Sequence, residues 1–399
     1  LCFWAEVSAL ASEVFELHSM DEPSTAELVL VKGRAKPEGL DDFFEFEQSS
    51  GSVELSNSLL TAVFSGNTGF LKEIRLESGE KVDVNAHFVK YGARPSGSLK
   101  NRGGDNLSGA YIFLPNGAAK PMDYVSQPAF VVAEGPLVKR VLAMGPNDGK
   151  LVQSYSLEKG SYLIGICNTI DLSNRPDNIE VALRFETNID SGADLFTDLN
   201  GLQMIRHVEV MLDRRTQQDD NRGLLQALAD NRPTVSHFRL LLEPLETTSQ
   251  KIADSPMGHL TSIAHHASLS LLYPWVKIMG KGIPTHRNVR GLTSSLPCDV
   301  HLVTLRTMTG PTDYNNNRAV KPKNEAALVL RRWLPECRGS RSILDQECTN
   351  LTQVNVRDLF VGSVKSVHEA SLTMLYVDET PRELVALEPH RVKTVKIVY

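Results

Sequence analysis

From Lys81 to Val89 the sequence alternates without a break, with Val82, Val84, Ala86 and Phe88 on one face and Lys81, Asp83, Asn85 and His87 on the other. Successive side chains of a strand point to opposite faces, so a period of two predicts one buried and one wet face, the pattern of an antiparallel sheet. The same rule places Ile179, Val181, Leu183 and Phe185 inward with Glu180, Arg184 and Glu186 outward, and Val395, Ile397 and Tyr399 on one face of a final strand. Turn chemistry joins these segments. Val53 to Phe64 is followed by Ser65-Gly66-Asn67-Thr68-Gly69, where Gly and Asn accept positive φ, and then by Leu71, Ile74 and Leu76, which predicts a hairpin or meander. One segment has another period. After Pro256, Leu260, Ile263, Ala264, Ala267 and Leu271 keep helical spacing until Pro274, predicting a single helix of about four turns. Thr309 to Lys323 has neither period and reads as an exposed loop.

The expected architecture is therefore mainly β: many short strands in antiparallel sandwich lobes, with one or two helices. At 399 residues the chain can bury a sizeable core, and its 41% hydrophobic content excludes a disordered polymer. Lysines and arginines number 42 against 48 acidic residues, a net charge of −6, so no basic excess exists to neutralise phosphates and nucleic acid is not an expected partner. No window approaches the roughly 18 apolar residues of a membrane span. The start, Leu1-Cys2-Phe3-Trp4, lacks a Met and a basic leader and reads as an internal fragment. Five cysteines (Cys2, Cys167, Cys298, Cys337, Cys348) include no C-x-x-C, which argues against zinc-ribbon and thioredoxin chemistry. Cys337 and Cys348 flank a polar loop and are a candidate disulfide of an oxidising compartment. Candidate N-glycosylation sites at Asn106 and Asn350 point the same way.

Phosphate-cradle, dinucleotide, zincin and hydrolase-elbow motifs are all missing from the sequence. His259, His265 and His266 lie on the helical segment but share no i, i+4 face, so a polar helix face is expected rather than a metal site. The densest polar segment is Asp213 to Gly223, after a strand carrying Val208, Val210 and Leu212. Its carboxylates, amides and guanidinium groups suit sugar hydroxyls, and they suit a solvated loop equally. The second segment is Ser108 to Gly117, in which Tyr111 either presents a ring and hydroxyl to a sugar or packs at a core rim.

At these two segments the chain resembles the C-terminal β-rich half of glycoside hydrolase family 38, in its Golgi alpha-mannosidase II-like branch. The residues carrying the likeness are Ser108 to Gly117 (SGAYIFLPNG) with Ala119-Lys120-Pro121, Phe196 to Gln203, Leu212 to Arg215, and Gln218 to Leu224. Ser295 to Val303 and Asn324 to Leu328 continue it, and Phe3 to Leu17 resembles a strand pair of that half. The Ser-Leu-Pro-Cys-Asp segment at 295–299 favours the Golgi branch over the lysosomal one.

The resemblance implies a Golgi lumenal enzyme that trims alpha-linked mannose from N-glycans by a retaining, zinc-dependent mechanism. It also implies a galactose-mutarotase-like super-sandwich fold, with nucleophile and zinc ligands on an N-terminal α/β catalytic domain that is absent from this chain and is its expected partner. No catalytic or metal residue is therefore assigned here, and the chain alone is expected to be inactive. The family match gives Tyr111 and Arg222 as substrate-binding residues, with Asp219 and Asp220 supporting the Arg222 loop. Residues 1–50 read as the end of a preceding small β domain and linker. Residues 51–250 read as a large β-sandwich domain shortened at 206/207, where the family carries further residues, and 251–399 as a helix plus C-terminal β domain. Ala227 stands where the family has a glycine, which would strain a positive-φ turn. The alternative is a non-catalytic carbohydrate-binding or scaffold β-sandwich.

Overall fold

The computed structural model describes residues 3–8, 10–16, 18, 28–36, 45–49, 51–94, 108–109, 112–122, 128–146, 150–173, 177–189, 196–199, 203–206, 211–218, 231–244, 260–282, 288–297, 299–310, 321–333 and 353–399. It is mainly β, as expected, and divides into two compact units. The first comprises Leu1–Cys2, Glu22–Pro244 and Ala267–Pro274; the second comprises Phe3–Asp21, Leu245–His266 and Trp275–Tyr399.

The first unit is a sandwich of two sheets. One runs in the order Thr234–Leu241, Leu163–Ile170, Leu151–Glu158, Val138–Met144, Ala129–Glu134, Leu28–Gly33 and Glu45–Gln48, antiparallel except at its last pair. The other runs Met211–Arg215, Ile179–Thr187, Lys81–Gly92, Leu71–Leu76, Leu60–Ser65 and Ser52–Ser56, with Lys120–Pro121 paired to Lys81–Gly92. The predicted meander is this second sheet's run from Ser52 to Gly92. At its turn Gly69 holds φ +73°, and a Cβ there would meet the Phe130 side chain at 2.6 Å, so only glycine fits.

Alternation placed the inner face correctly. Val84, Ala86 and Phe88 are buried beside Ile179, Val181 and Leu183, and they pack with Phe130, Val132, Val141, Leu151, Ile164 and Ile166 of the facing sheet in one apolar cluster. A polar clasp crosses this layer. Tyr155, 1% exposed, donates to Gln153 Oε1 and accepts from the backbone N–H of Leu71 in the opposite sheet at 3.2 Å. Gln153 passes the chain on to Asn168 Oδ1 at 2.6 Å, and the Tyr155 ring meets Phe64 edge-on at 5.1 Å.

In the second unit Val300–Thr309, Pro322–Arg332, Val392–Val398, Ser366–Ala370 and Val377–Pro381 form a five-stranded antiparallel sheet. Its core holds Leu328, Leu330, Val367, Val395 and Ile397, while Tyr399, at the strand's end, is exposed. A buried ion pair, Arg332 Nε to Asp299 Oδ2 at 2.8 Å, links the ends of its first two strands. Ala11–Ser12 pairs with Val289–Arg290 in the same unit, reinforced by Arg290 Nη2 donating to Ser8 Oγ at 3.0 Å. Most of the segment from Thr309 to Lys323 lies outside the described residues, and Pro322 already opens a strand.

The helix forms at Ser262–Leu272, where Ile263 and Ala267 are buried and Thr261 Oγ1 caps the Ala264 N–H at 3.2 Å. It is not the wholly polar histidine face that was expected. His265 stacks on Trp333 with ring centroids 3.8 Å apart, and burial, aided by Arg331 and by any charge on the neighbouring His301 and His266, pushes its pKa down to about 4. His266 is exposed and His259 lies outside the described residues.

Two outcomes follow. Tyr155→Phe removes the acceptor of the Leu71 N–H and the donor to Gln153, and is expected to lower unfolding free energy by about 1–3 kcal/mol in urea titration. His265 is neutral in the fold, whereas the unfolded ring gains a proton near its ordinary value of 6.5; the stability it contributes is intact above that pH and is lost as pH falls toward about 4. The stability difference between His265→Phe and the parent should accordingly shift in favour of the variant across that window, and urea midpoints measured at a series of pH values test this.

Candidate functional site

The sequence expects Glu180 to face water, and the structure overturns that: Glu180 is 3% exposed. The reason lies in register. On the outer face of the second sheet Glu180 stands directly opposite Tyr91 on one neighbouring strand and Arg214 on the other. Arg214 Nε is hydrogen-bonded to Glu180 Oε2, and the row Tyr91, Glu180, Arg214 is roofed by a segment arriving from far away in sequence. Phe113 meets the Tyr91 ring edge-on at 6.5 Å, and the Arg214 guanidinium sits 5.0 Å from the Phe113 centroid, within cation–π range.

The arriving segment is 108–116, fastened at both ends. Ser108, fully buried, accepts from the Leu114 N–H at 2.7 Å and donates to the Leu114 carbonyl at 3.2 Å. The Gly109 N–H reaches the Ile112 carbonyl at 2.8 Å. Arg94 N donates to Leu114 O at 2.9 Å and Asn116 N to Gly92 O at 2.7 Å, pinning the segment's far end to the strand Lys81–Gly92. From the other side Arg214 Nη1 donates to the Gly109 carbonyl at 3.3 Å. Gln218 Nε2 donates to the carbonyls of Arg94 at 2.6 Å and Ser108 at 2.8 Å.

The polar run after Leu212 is thus not all loop. Asp213, Arg214 and Arg215 belong to the strand Met211–Arg215, held from below by Asn231 Nδ2, which donates to the Arg214 carbonyl at 2.7 Å. Burial raises the Glu180 carboxyl above its ordinary range against the pull of Arg214, and burial likewise raises Asp213 against the Arg214 backbone N–H. Two segments more than a hundred residues apart, flagged separately in the sequence, therefore meet through their described flanks.

The residues assigned by resemblance are not themselves visible here. Tyr111, Asp219, Asp220 and Arg222 lie outside the described residues, as do Cys337, Cys348, Asn106, Asn350 and Ala227. The residues sequence reasoning missed are Glu180, Phe113 and Arg214 as a connected set. An acidic and a basic residue at matching positions of neighbouring strands were the available signal. Among the described residues no group of three or more His, Cys, Asp or Glu side chains suits a metal ion, and no helix is long and apolar enough to cross a membrane. Cys167 is a half-buried free thiol whose pKa burial raises.

Residues 55–208, which include most of this sandwich, match the model described as glycosyl hydrolases family 38 C-terminal domain. The chain belongs to glycoside hydrolase family 38, as a piece of its C-terminal, β-rich part. It is 30% identical over 415 positions to alpha-mannosidase 2x of Mus musculus, covering 88% of this chain and 34% of that protein. It is 26% identical over 456 positions to alpha-mannosidase 2 of Homo sapiens, covering 100% of this chain and 38% of the relative. With alpha-mannosidase 2 of Drosophila melanogaster the identity is 34% over 257 positions, 53% of this chain and 22% of the fly protein. The chain thus spans between 22% and 38% of the length of these relatives.

Removing one half of the outer-face ion pair should be costly. Glu180→Ala leaves Arg214 without its carboxylate and is expected to lose about 3 kcal/mol of stability. The double replacement Glu180→Leu with Arg214→Met, an apolar pair of similar bulk, is expected to stay near the parent. Guanidinium chloride denaturation of the three proteins decides; equal losses in both variants would mean that the charge pairing is not the cause.

Proposed function

We propose that this chain is the β-rich half of an alpha-mannosidase that hydrolyses alpha-linked mannose of N-glycans in the Golgi lumen, and that it completes the mannose pocket of an N-terminal catalytic domain. The observation that carries the reading is the meeting of the two family-like segments, through Arg214 to Gly109 and Gln218 to Ser108, on one face of the sandwich. In this reading Tyr111 and Arg222 bind the sugar, and Asp219 and Asp220 hold the Arg222 loop. Retention requires a nucleophilic carboxylate and an acid/base carboxyl about 5–5.5 Å apart. Those groups and the zinc ligands belong, by resemblance, to the catalytic domain, so what this chain supplies is binding and orientation. The zinc, when bound there, would polarise substrate oxygens; among the described residues of this chain no group of three or more His, Cys, Asp or Glu side chains suits it.

Domain bounds of 51–250 and 251–399 belong to the same reading, with the first domain shortened at 206/207. The family match ends at residue 208, and the alignment with the human relative runs over 456 positions against 399 residues here, so that relative carries residues this chain lacks. An oxidising lumen would suit the Cys337 and Cys348 pair and glycans at Asn106 and Asn350.

The test is hydrolysis of an aryl alpha-mannoside by a polypeptide joining this chain to an N-terminal catalytic domain of the family. Turnover with release of alpha-mannose is expected, and none from the chain alone. Tyr111→Phe and Arg222→Gln should each lower kcat/KM by about 10- to 100-fold, the value of one lost hydrogen bond to substrate, neutral or charge-assisted. An intact joined protein that binds mannosides without cleaving them would favour a carbohydrate-binding module instead.

A further inference from the structure

We infer that residues 275–279 are a seat on which the N-terminal catalytic domain docks, the segment lying extended against that domain with its backbone hydrogen-bonded to it; the inference takes the identity of the partner from the reading above and adds where that partner is held.

Residues 275–279 belong to the second unit, read Trp-Val-Lys-Ile-Met and form neither helix nor strand. Trp275 is 63% exposed, Val276 87%, Ile278 91% and Met279 89%. A lone exposed apolar side chain is ordinary on a protein surface. Four among five consecutive residues, three of them almost wholly in water, make a continuous apolar run of the kind that marks an interaction site. Aromatic residues and Met are also the types enriched in the buried centres of protein interfaces.

Three things could cover such a run: lipid, a second copy, or further polypeptide of the same protein. The backbone argues against lipid. Outside helix and strand, the N–H and C=O groups of 275–279 have no ladder partners, and hydrocarbon offers none. A protein edge does offer them, and the residue types suit such pairing: in an extended chain Val276 and Ile278 point to one face and Trp275 and Met279 to the other, apolar on both, as in a strand covered on each side. Charge defines the rim of the partner. Between Asp254 and Asp299 the sequence holds no Asp or Glu and four basic residues, among them Lys277 and Lys281, in a chain of net charge −6, so the complementary rim is acidic. Length separates the last two occupants. The alignment with the human relative takes in 100% of this chain, these residues included, and only 38% of the relative, which therefore carries more than half of its length besides. Polypeptide joined to the segment meets it at an effective concentration of about millimolar, which a free second copy does not reach.

The test reads hydrogen exchange across residues 275–282 in this chain alone and in the joined protein of the preceding section, each with the parent sequence and with Val276→Ser plus Ile278→Ser. Joining is expected to slow these amides by about tenfold or more, and the double change to abolish that slowing. The double change should also lower the melting temperature of the joined protein by about 2 °C or more. In the chain alone it should leave the melting temperature where it was, because both side chains are already in water there. Should the double variant fail to fold, Met279→Ser alone is carried through the same comparison.

Equally fast exchange in the chain alone and in an active joined protein overturns the docking and leaves the pocket reading standing. Slowing in the chain alone that grows with its concentration overturns it in favour of a second copy. Slowing that appears only with phosphatidylcholine or phosphatidylglycerol vesicles overturns it in favour of lipid. A joined protein that slows exchange here yet cleaves no aryl alpha-mannoside keeps the docking and overturns the pocket reading.

Discussion

A phenol hydroxyl buried among hydrocarbon side chains must find partners or burden the fold with its desolvation. Tyr155 finds them in both sheets, taking the Leu71 N–H from one and giving its proton to Gln153 in the other. Apolar contacts between sheets are strong but non-directional, and would tolerate sliding. A hydrogen bond that crosses the layer tolerates very little. Phe64, Phe88, Phe130 and Ile166 are among the buried side chains that supply the favourable free energy of the apolar layer, while the clasp selects one height among the many that this layer would accept.

That fixed height is what makes the outer face of the second sheet usable. Arg214 and Glu180 are neighbours because Met211–Arg215 and Ile179–Thr187 are hydrogen-bonded in one register, and a slip of a single residue would send Glu180 into the core. The inner face of Ile179–Thr187 belongs to the sandwich, and its outer face belongs to the 108–116 segment. One strand therefore carries stability on one side and loop placement on the other, with Glu180 and Val181 adjacent in sequence and opposite in role.

What could be read from the sequence follows the same division. Exclusion of water acts on each residue separately, so alternation located Val84, Ala86, Phe88, Ile179, Val181 and Leu183 without any knowledge of their neighbours. An outer face is wet only if nothing covers it, and the cover over Glu180 comes from residues about 70 positions away, for which no local pattern exists. The expected strand through Leu212 was not carried on to Arg215 for a related reason: the charges of Asp213, Arg214 and Arg215 read as solvated until their partners are known. His265 needed Trp333, distant in sequence, to become an aromatic packing group. Helix Ser262–Leu272, bounded by its own cap and proline, was legible from local signals alone. The roles proposed for Tyr111 and Arg222 rest on family likeness alone, since a tyrosine in a strand-like run and an arginine in a charged run are commonplace.

The pairing of Ala11–Ser12 with Val289–Arg290 imposes an order on biosynthesis. Its two halves are separated by the whole of the sandwich unit, so residues 3–16 leave the ribosome long before their partners exist. At about 5–20 residues per second the delay is on the order of 15–60 s, ample for Glu22–Pro244 to collapse first. Val14, whose N–H is bonded to Asn288 Oδ1 at 3.0 Å, spends that interval without its partner. The sandwich is in effect an insertion within a discontinuous second unit, whose residues Ala11–Ser12 can pair only after the whole insertion and Val289–Arg290 have been made.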